Sequence, residues 1–272
     1  MSEHESSERR EACLEHLITI SDIIEVAWLD EVDSTNNHAK ELLLSDPHAL
    51  LPRLWIADRQ TSGRGRGSNS WYSPTGCLMF SLAWEPPNAE RLRERMPQLA
   101  LVVGLSLALA LDRYSSVKAT VKWPNDIYLL DKKVAGILVE SPVPDRWIIG
   151  VGINVQVALG DQVSEELRDR ATSLHYWSNQ SIDRESVLME CIDSFQRESQ
   201  YWIDDPNYLE TRWLERCYLN ERLIEVIQGS QTLVGRCQGI DAFGRLLLWD
   251  HRGQKHTILA GSVRVIDEES GH

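Results

Sequence analysis

The chain's 272 residues suffice for one large domain, or for one domain with a small appendage. With 42% hydrophobic and 25% charged residues, it has neither the polar excess of a disordered chain nor the apolar excess of a membrane protein. Lys+Arg 28 against Asp+Glu 41 leave a net charge of −13, a field that repels phosphate backbones, so no nucleic-acid partner is expected.

The opening MSEHESSERR is charged and is followed by no apolar signal-peptide core. The longest apolar run, Leu99 to Leu111, falls short of the roughly 20 residues a bilayer requires and reads as a buried helix. Cys13, Cys77, Cys191, Cys217 and Cys237 are odd in number, widely spaced and never paired as CxxC, which predicts reduced thiols. A cytoplasmic protein without a membrane partner is the expectation.

In chain order, residues up to about Thr19 are polar and helix-prone. Ile23 to Trp28 is rich in β-branched residues and predicts a strand. Asp33-Ser34-Thr35-Asn36-Asn37 supplies helix-capping side chains for a helix through Leu44. Strands are predicted at Arg53–Asp58 and Gly76–Trp84, separated by an irregular segment, Arg59 to Ser73, of glycine, arginine and small polar residues. A central packed helix is predicted over Arg91–Tyr114. Strands follow at Thr120–Trp123, Ile127–Leu130, Val134–Glu140 and Trp147–Val155, the middle two joined by the hairpin-length Asp131-Lys132-Lys133. Helices return from about Ser164 to Cys217, with a break at Asp205-Pro206. From Tyr218, five short alternating strands are punctuated by Gln228-Gly229-Ser230, Asp241 to Gly244 and His251-Arg252-Gly253, the pattern of a small β-barrel. The expected organisation is a helical extension over 1–20, an α+β domain over 21–217 and a β module over 218–272. Strands grouped without βαβ alternation argue against a doubly wound parallel sheet.

Three segments carry chemistry. Gly63-Arg64-Gly65-Arg66-Gly67 sets glycines, which allow close backbone approach and anion-binding amides, around two permanently charged guanidinium forks. The same composition also suits a solvated loop, and it matches neither dinucleotide fingerprint nor phosphate loop. In Lys122-Trp123-Pro124-Asn125-Asp126, proline ends a strand and Asn-Asp turns it, placing two polar side chains where a phosphate could be gripped. Lys133, opening the apolar strand to Glu140, is either a snorkelling surface residue or a cation aimed into a pocket. In Gly150-Val151-Gly152-Ile153-Asn154, alternate glycines weaken a strand and mark close approach, and a buried asparagine must find partners.

GRGRG, KWPND, KKVAGILVE and GVGIN, in that order behind Asp33-Ser34-Thr35-Asn36, resemble the biotin protein ligase family. The likeness covers roughly Ile24 to Val155 and extends in pattern to the C-terminal module. It implies a mixed or antiparallel central sheet with packed helices, akin to class II aminoacyl-tRNA synthetases and the biotin/lipoate ligases, plus a small SH3-like barrel. Residues 21–217 would then bind biotin and ATP. The type implied is monofunctional, since barely twenty residues precede the first strand, too few for the DNA-binding domain of repressor-type members.

The activity implied is ATP- and Mg²⁺-dependent formation of biotinyl-5′-AMP, then transfer of biotin to a lysine of a biotin carboxyl carrier protein of acetyl-CoA carboxylase. No tightly bound prosthetic group is implied, and a homodimer stays open. Carried over by position, Lys133, Arg66 and Arg64 would be the catalytic cations. Ser34, Thr35, Gln60, Gly63, Arg64, Lys133, Gly136 and Leu138 would hold biotin. Asn36, Arg66, Trp71, Asn125, Asp126 and Asn154 would lie near the nucleotide, with Asp126 toward Mg²⁺. Trp123 is a candidate for the apolar slot or for the core, and spacing does not single out an adenine-stacking aromatic, Trp177 among others. The loop departs from the family pattern in having Gly67-Ser68-Asn69 where a further Gly-Arg is usual, one arginine fewer and greater freedom. Alternatives are a lipoate-type acyl-protein ligase or a non-catalytic biotin-sensing regulator. From its appended position, the C-terminal module (Tyr218 to Ile266) is expected to bind the carrier protein, so that its deletion would spare the first step and impair the second.

Overall fold

The computed structural model describes residues 3–160 and 164–266, with backbone alone at 3–7 and Ile20. Twelve strands and seven α-helices are present among them. The larger sheet is built from β1 (Glu25–Val32), β2 (Arg53–Gln60), β3 (Cys77–Trp84), β4 (Ala119–Lys122), β5 (Asp126–Leu129), β6 (Lys132–Val143) and β7 (Arg146–Asn154). Their spatial order is β1-β2-β3-β7-β6-β5-β4. Helix α2 (Thr35–Ser45) connects β1 to β2, which are therefore parallel, while every other pair is antiparallel. All eight residues of β3 are buried, as its continuous apolar run requires of a strand covered on both faces.

The predicted helix over Arg91–Tyr114 is interrupted. It consists of α3 (Ala89–Leu92), a 3₁₀ turn at Arg93–Gln98 and α4 (Leu99–Leu111). Pro97, which has no amide hydrogen to continue an α-helical ladder, stands in the 3₁₀ turn. The stretch Ala89–Leu111 is apolar enough to cross a membrane by composition, yet 11 of the 13 residues of α4 are buried. The helix packs between the sheet and α6 (Arg184–Asp204), and a helix apolar all round belongs in such a place. Beside them lie α5 (Glu165–Arg170) and α7 (Tyr208–Trp213), and α1 (Glu3–Ile20) rests on α6 and β1. On the opposite face, Ala39 and Leu43 of α2 pack on Trp55, Ala83 and Ile148, which leaves the rest of that face for the site.

Helix α1 is anchored by Asp58 of β2. Arg10 (2.5 Å), Arg184 (2.8 Å) and the Trp28 indole N–H (3.1 Å) all donate to its carboxylate. Burial pushes the Asp58 carboxyl up, but these donors outweigh it and hold it below the ordinary carboxylate value. The lowered value means the stabilisation is present above the unfolded carboxyl's pKa of about 3.9 and is lost as pH falls through the folded one. Asp58→Asn is expected to cost about 1–3 kcal/mol near neutral pH. In urea melts at stepped pH, its deficit against wild type should shrink below about pH 4; a deficit that does not change with pH would contradict this anchor.

The C-terminal module consists of β8 (Leu223–Gln228), β9 (Gln231–Ile240), β10 (Leu246–Trp249), β11 (Lys255–Ile258) and β12 (Ser262–Val265). They form an antiparallel sheet ordered β11-β10-β9-β8-β12, of the small SH3-like barrel type. Gly229, Gly244 and Gly253 turn the chain at positive φ. The module is not a loose appendage. Its Ile224, Val226, Cys237, Leu246 and Leu248 share one core with α4 and the large sheet. The Trp123 indole donates to the Gly244 carbonyl (3.0 Å), and the Gln98 amide donates to that of Ala242.

Candidate active site

A cavity of about 680 Å³ opens on the sheet face beside α2. Ser34, Thr35 and Asn36 at the start of α2 form one wall with Gln60 at the end of β2. These three α2 residues are buried, so their polar atoms need partners. The Thr35 amide and hydroxyl donate to Gln60 Oε1 (2.8 and 3.2 Å), and Ser81 Oγ lies 2.7 Å from Thr35 Oγ1 and 2.6 Å from Asn36 Oδ1. Ser34 occupies the N-cap of α2 without using its side chain as a cap. The result is a polar floor under an apolar wall of Leu138 and Val151, the mixture that fixes the orientation of a small ligand.

Asn36, expected near the nucleotide, belongs instead to this floor: its amide donates to the Leu138 carbonyl (3.3 Å) and to Glu140 (2.9 Å). Gly150 is what admits it, since a Cβ there would lie 1.9 Å from Asn36 Oδ1. Gly150→Ala is therefore expected to displace Asn36 at a cost of about 1–3 kcal/mol. Thermal unfolding and biotin titration should both register the loss; wild-type behaviour in both would show that the floor does not depend on this packing.

The glycine–arginine loop is held by its own backbone. Trp71 N donates to Gly63 O (2.9 Å), Gly65 N to Asn69 O (2.8 Å) and Asn69 N to Arg66 O (3.2 Å). Gly67 takes φ 61° and Asn69 N donates to Arg66 O, so Gly67-Ser68-Asn69 makes a closed turn. Gly63 does not line the cavity; it is glycine because a Cβ would come 2.5 Å from the Trp71 carbonyl. The alternating glycines of β7 likewise make room for the protein's own groups. A Cβ on Gly152 would meet the Trp71 indole at 2.4 Å, and one on Gly136 of β6 would meet it at 3.1 Å.

Arg64, Arg66, Lys122 and Lys133 are the four cations on the cavity wall. Arg64 places its fork on Glu140, both contacts at 2.9 Å, and also donates to Asn37. Its charge is thus offset within the protein. Lys133 Nζ sits 2.6 Å from Asp126 Oδ1 and 5.5 Å from the Trp71 ring centroid. Arg66 makes only a long contact, 3.4 Å, with Asn125 Oδ1. Asn125 is fixed by donating to the Ile137 carbonyl (2.7 Å). Asp126 shares its place with no other acidic cluster: among the described residues no group of three or more His, Cys, Asp or Glu could hold a metal.

Of the remaining expected residues, Asn154 and Trp177 lie outside the cavity. The Asn154 side-chain amide donates to Thr172 O (3.0 Å) and its backbone carbonyl accepts from Ser173 Oγ, so it secures the end of β7. The Trp177 indole donates to Thr172 Oγ1. Trp123 is buried core whose edge also lines the cavity. Lys122 and Glu140 lie within the motifs, but nothing in the local pattern marks either as part of the site; Lys122 lines the cavity and Glu140 holds Arg64. Gln228, Gly229, Gly261 and Ser262 complete the rim from the C-terminal module. The module therefore borders the cavity itself.

Two family models match the chain: the biotin/lipoate A/B protein ligase family over residues 28–154, and the biotin protein ligase C-terminal domain over 221–265. The bifunctional ligase/repressor BirA of Bacillus spizizenii is 32% identical over 234 residues, covering 84% of this chain and 70% of that protein. The biotin–[acetyl-CoA-carboxylase] ligase of Paracoccus denitrificans is 30% identical, covering 84% of this chain and 95% of its own. Among solved structures, the biotin protein ligase of Aquifex aeolicus in complex with biotin and ATP superposes with a TM-score of 0.76 at 31% identity, covering 90% of this chain and all of that one. The fold, the cavity and these likenesses together place the chain in the biotin/lipoate A/B protein ligase family, among its biotin protein ligases.

Proposed function

We propose that the protein joins biotin and ATP to form biotinyl-5′-AMP, then transfers biotin to a lysine of the carrier protein of acetyl-CoA carboxylase. The observation that carries this reading is one cavity in which a buried polar floor faces Lys133 and Arg66. Two anions must meet in the first step. A biotin carboxylate oxygen attacks the α-phosphorus, the bond to the bridging oxygen breaks, and pyrophosphate leaves with the electron pair. Fixed cations lower that barrier because they need not reorganise as charge shifts. In the second step the lysine amine attacks the acyl carbon, AMP departs with the C–O electron pair, and the amine's proton is lost. No protein nucleophile is needed, and the five cysteines are buried free thiols, in keeping with a reducing cytoplasm.

A single carboxylate beside a phosphate site suits Mg²⁺, which keeps most of its water and is usually held by one or two carboxylates plus substrate phosphates. Asp126 is the residue that would hold it, and the ion would neutralise phosphate charge. Incubation with ATP, Mg²⁺ and either biotin or lipoate, followed by assay of acyl-adenylate and pyrophosphate, tests the reading. Product with biotin alone is expected. Product with lipoate alone would move the chain to the lipoate ligases, and none with either would leave a biotin-sensing regulator.

A further inference from the structure

The reading above does not assign Lys122, and the charges around the cavity single it out. Glu140 offsets Arg64 and Asp126 offsets Lys133. Among the described residues, Arg66 and Lys122 have no carboxylate within ion-pair distance. Arg66 stands on a loop, whereas Lys122 ends β4 and is held by a platform of two aromatic rings. Its ammonium donates to Tyr128 Oη (3.1 Å) and lies 5.0 Å from the Tyr128 ring centroid and 6.0 Å from that of Tyr218. The two rings are themselves in contact, centroids 4.6 Å apart. Tyr218 is fixed in turn, donating to Asp131 (3.0 Å) under the Arg222 guanidinium, 4.1 Å from its ring centroid.

One N–H of three is thus used, on a neutral partner. A phenol is uncharged near neutral pH and cannot offset the lysine. Two N–H groups of the ammonium are left to meet an anionic ligand.

Position across the sheet indicates which anion. Strands β7, β6, β5 and β4 lie side by side in that order. The polar floor abuts β7 at Gly150, Lys133 stands on β6, Asp126 on β5 and Lys122 on β4, directly opposite Asp126. Phosphoryl and adenylyl displacements run with the attacking and leaving oxygens roughly in line. With biotin entering from the floor and Lys133 at the reacting centre, the leaving group departs toward β4. The geometry points to Lys122 as the cation that receives the β- and γ-phosphates of ATP and holds them as pyrophosphate.

This rests on the adenylating reading and is tested apart from it by running the reaction backwards. Biotinyl-5′-AMP and pyrophosphate are supplied and ATP is measured; separately, biotinyl-5′-AMP is supplied with the carrier protein and labelled lysine is measured. Loss of one charge-assisted contact predicts about a 10–100-fold rise in the KM for pyrophosphate in Lys122→Gln. The transfer rate should fall at least tenfold less than this, because biotinyl-5′-AMP carries neither phosphate. Lys122→Arg should restore most of the pyrophosphate affinity. If Lys122→Gln does not fold, Lys122→Met, whose alkyl stem keeps the packing on Tyr128, takes its place. An unchanged KM for pyrophosphate, or equal losses in both half-reactions, would overturn the assignment. Wild-type protein inert in both directions would instead overturn the adenylating reading.

Discussion

Replacing Lys133 with alanine is expected to lower biotin-dependent ATP–pyrophosphate exchange by about 10²–10³-fold, the usual loss when one fixed electrostatic donor is removed from a reacting centre. The side chain lines the cavity from the second residue of β6 and ends 2.6 Å from Asp126 on the neighbouring strand, beside the indole of Trp71. Without a ligand its charge is held by a carboxylate. When anionic substrates arrive, Lys133 can exchange that carboxylate for a substrate oxygen without crossing the cavity. Folding should be little affected, because the ion pair is partly exposed (31% and 24% of the two side chains) and such pairs contribute about 1 kcal/mol or less. Exchange measured beside a melting curve separates the two effects. Near-normal exchange, or a collapse of the melt that accounts for the lost activity, would remove Lys133 from the reaction.

Arg66→Ala is expected to release biotinyl-5′-AMP into solution about 10–100-fold faster than wild type, one charge-assisted contact having been removed from the bound intermediate. Arg66 makes no strong contact within the protein, only 3.4 Å to Asn125, so its guanidinium is free to bind a phosphate. The loop should keep its shape, since it is closed by the Gly63–Trp71 and Gly65–Asn69 backbone bonds rather than by the Arg66 side chain. Alanine is preferred to glycine because a glycine between Gly65 and Gly67 would loosen the loop itself. Rapid filtration of enzyme loaded with radiolabelled adenylate reads the release rate. An unchanged rate would mean that Arg66 does not hold the intermediate.

The motifs were legible because each combines residue types that ordinary structure avoids. Pro124 after a strand, arginines between glycines and a lysine opening an apolar strand each violate a local preference, and all three segments meet at one cavity. Less legible was what the irregular residues do for the protein itself. The β7 glycines suggest ligand approach, yet Gly152 faces Trp71 and Gly150 faces Asn36. Arg64 reads as a cation beside the ligand, and its partner Glu140, 76 residues away in sequence, is not indicated by the loop. Asn154 reads as a buried asparagine in need of partners, and the partner is the Thr172 carbonyl. In each case the partner is distant along the chain and identified only by folding, and a local pattern carries no information about it. The break of the long helix at Pro97 was open to a sequence argument, but the apolar periodicity around it obscured the signal. The place of the C-terminal module at the rim was not readable, because strand patterning reports which residues turn inward and not which neighbour they meet.

The account depends on cations from separate stretches of chain converging on one phosphorus atom. A crystal structure with a non-hydrolysable analogue of biotinyl-5′-AMP tests this most directly. The account predicts the biotin ring on the Thr35–Gln60–Ser81 floor, and Lys133 Nζ moved from Asp126 onto the linkage between acyl group and phosphate, with Arg66 on the same phosphate. An analogue bound elsewhere, or bound there while Lys133 remains on Asp126 and Arg66 points into solvent, would contradict it.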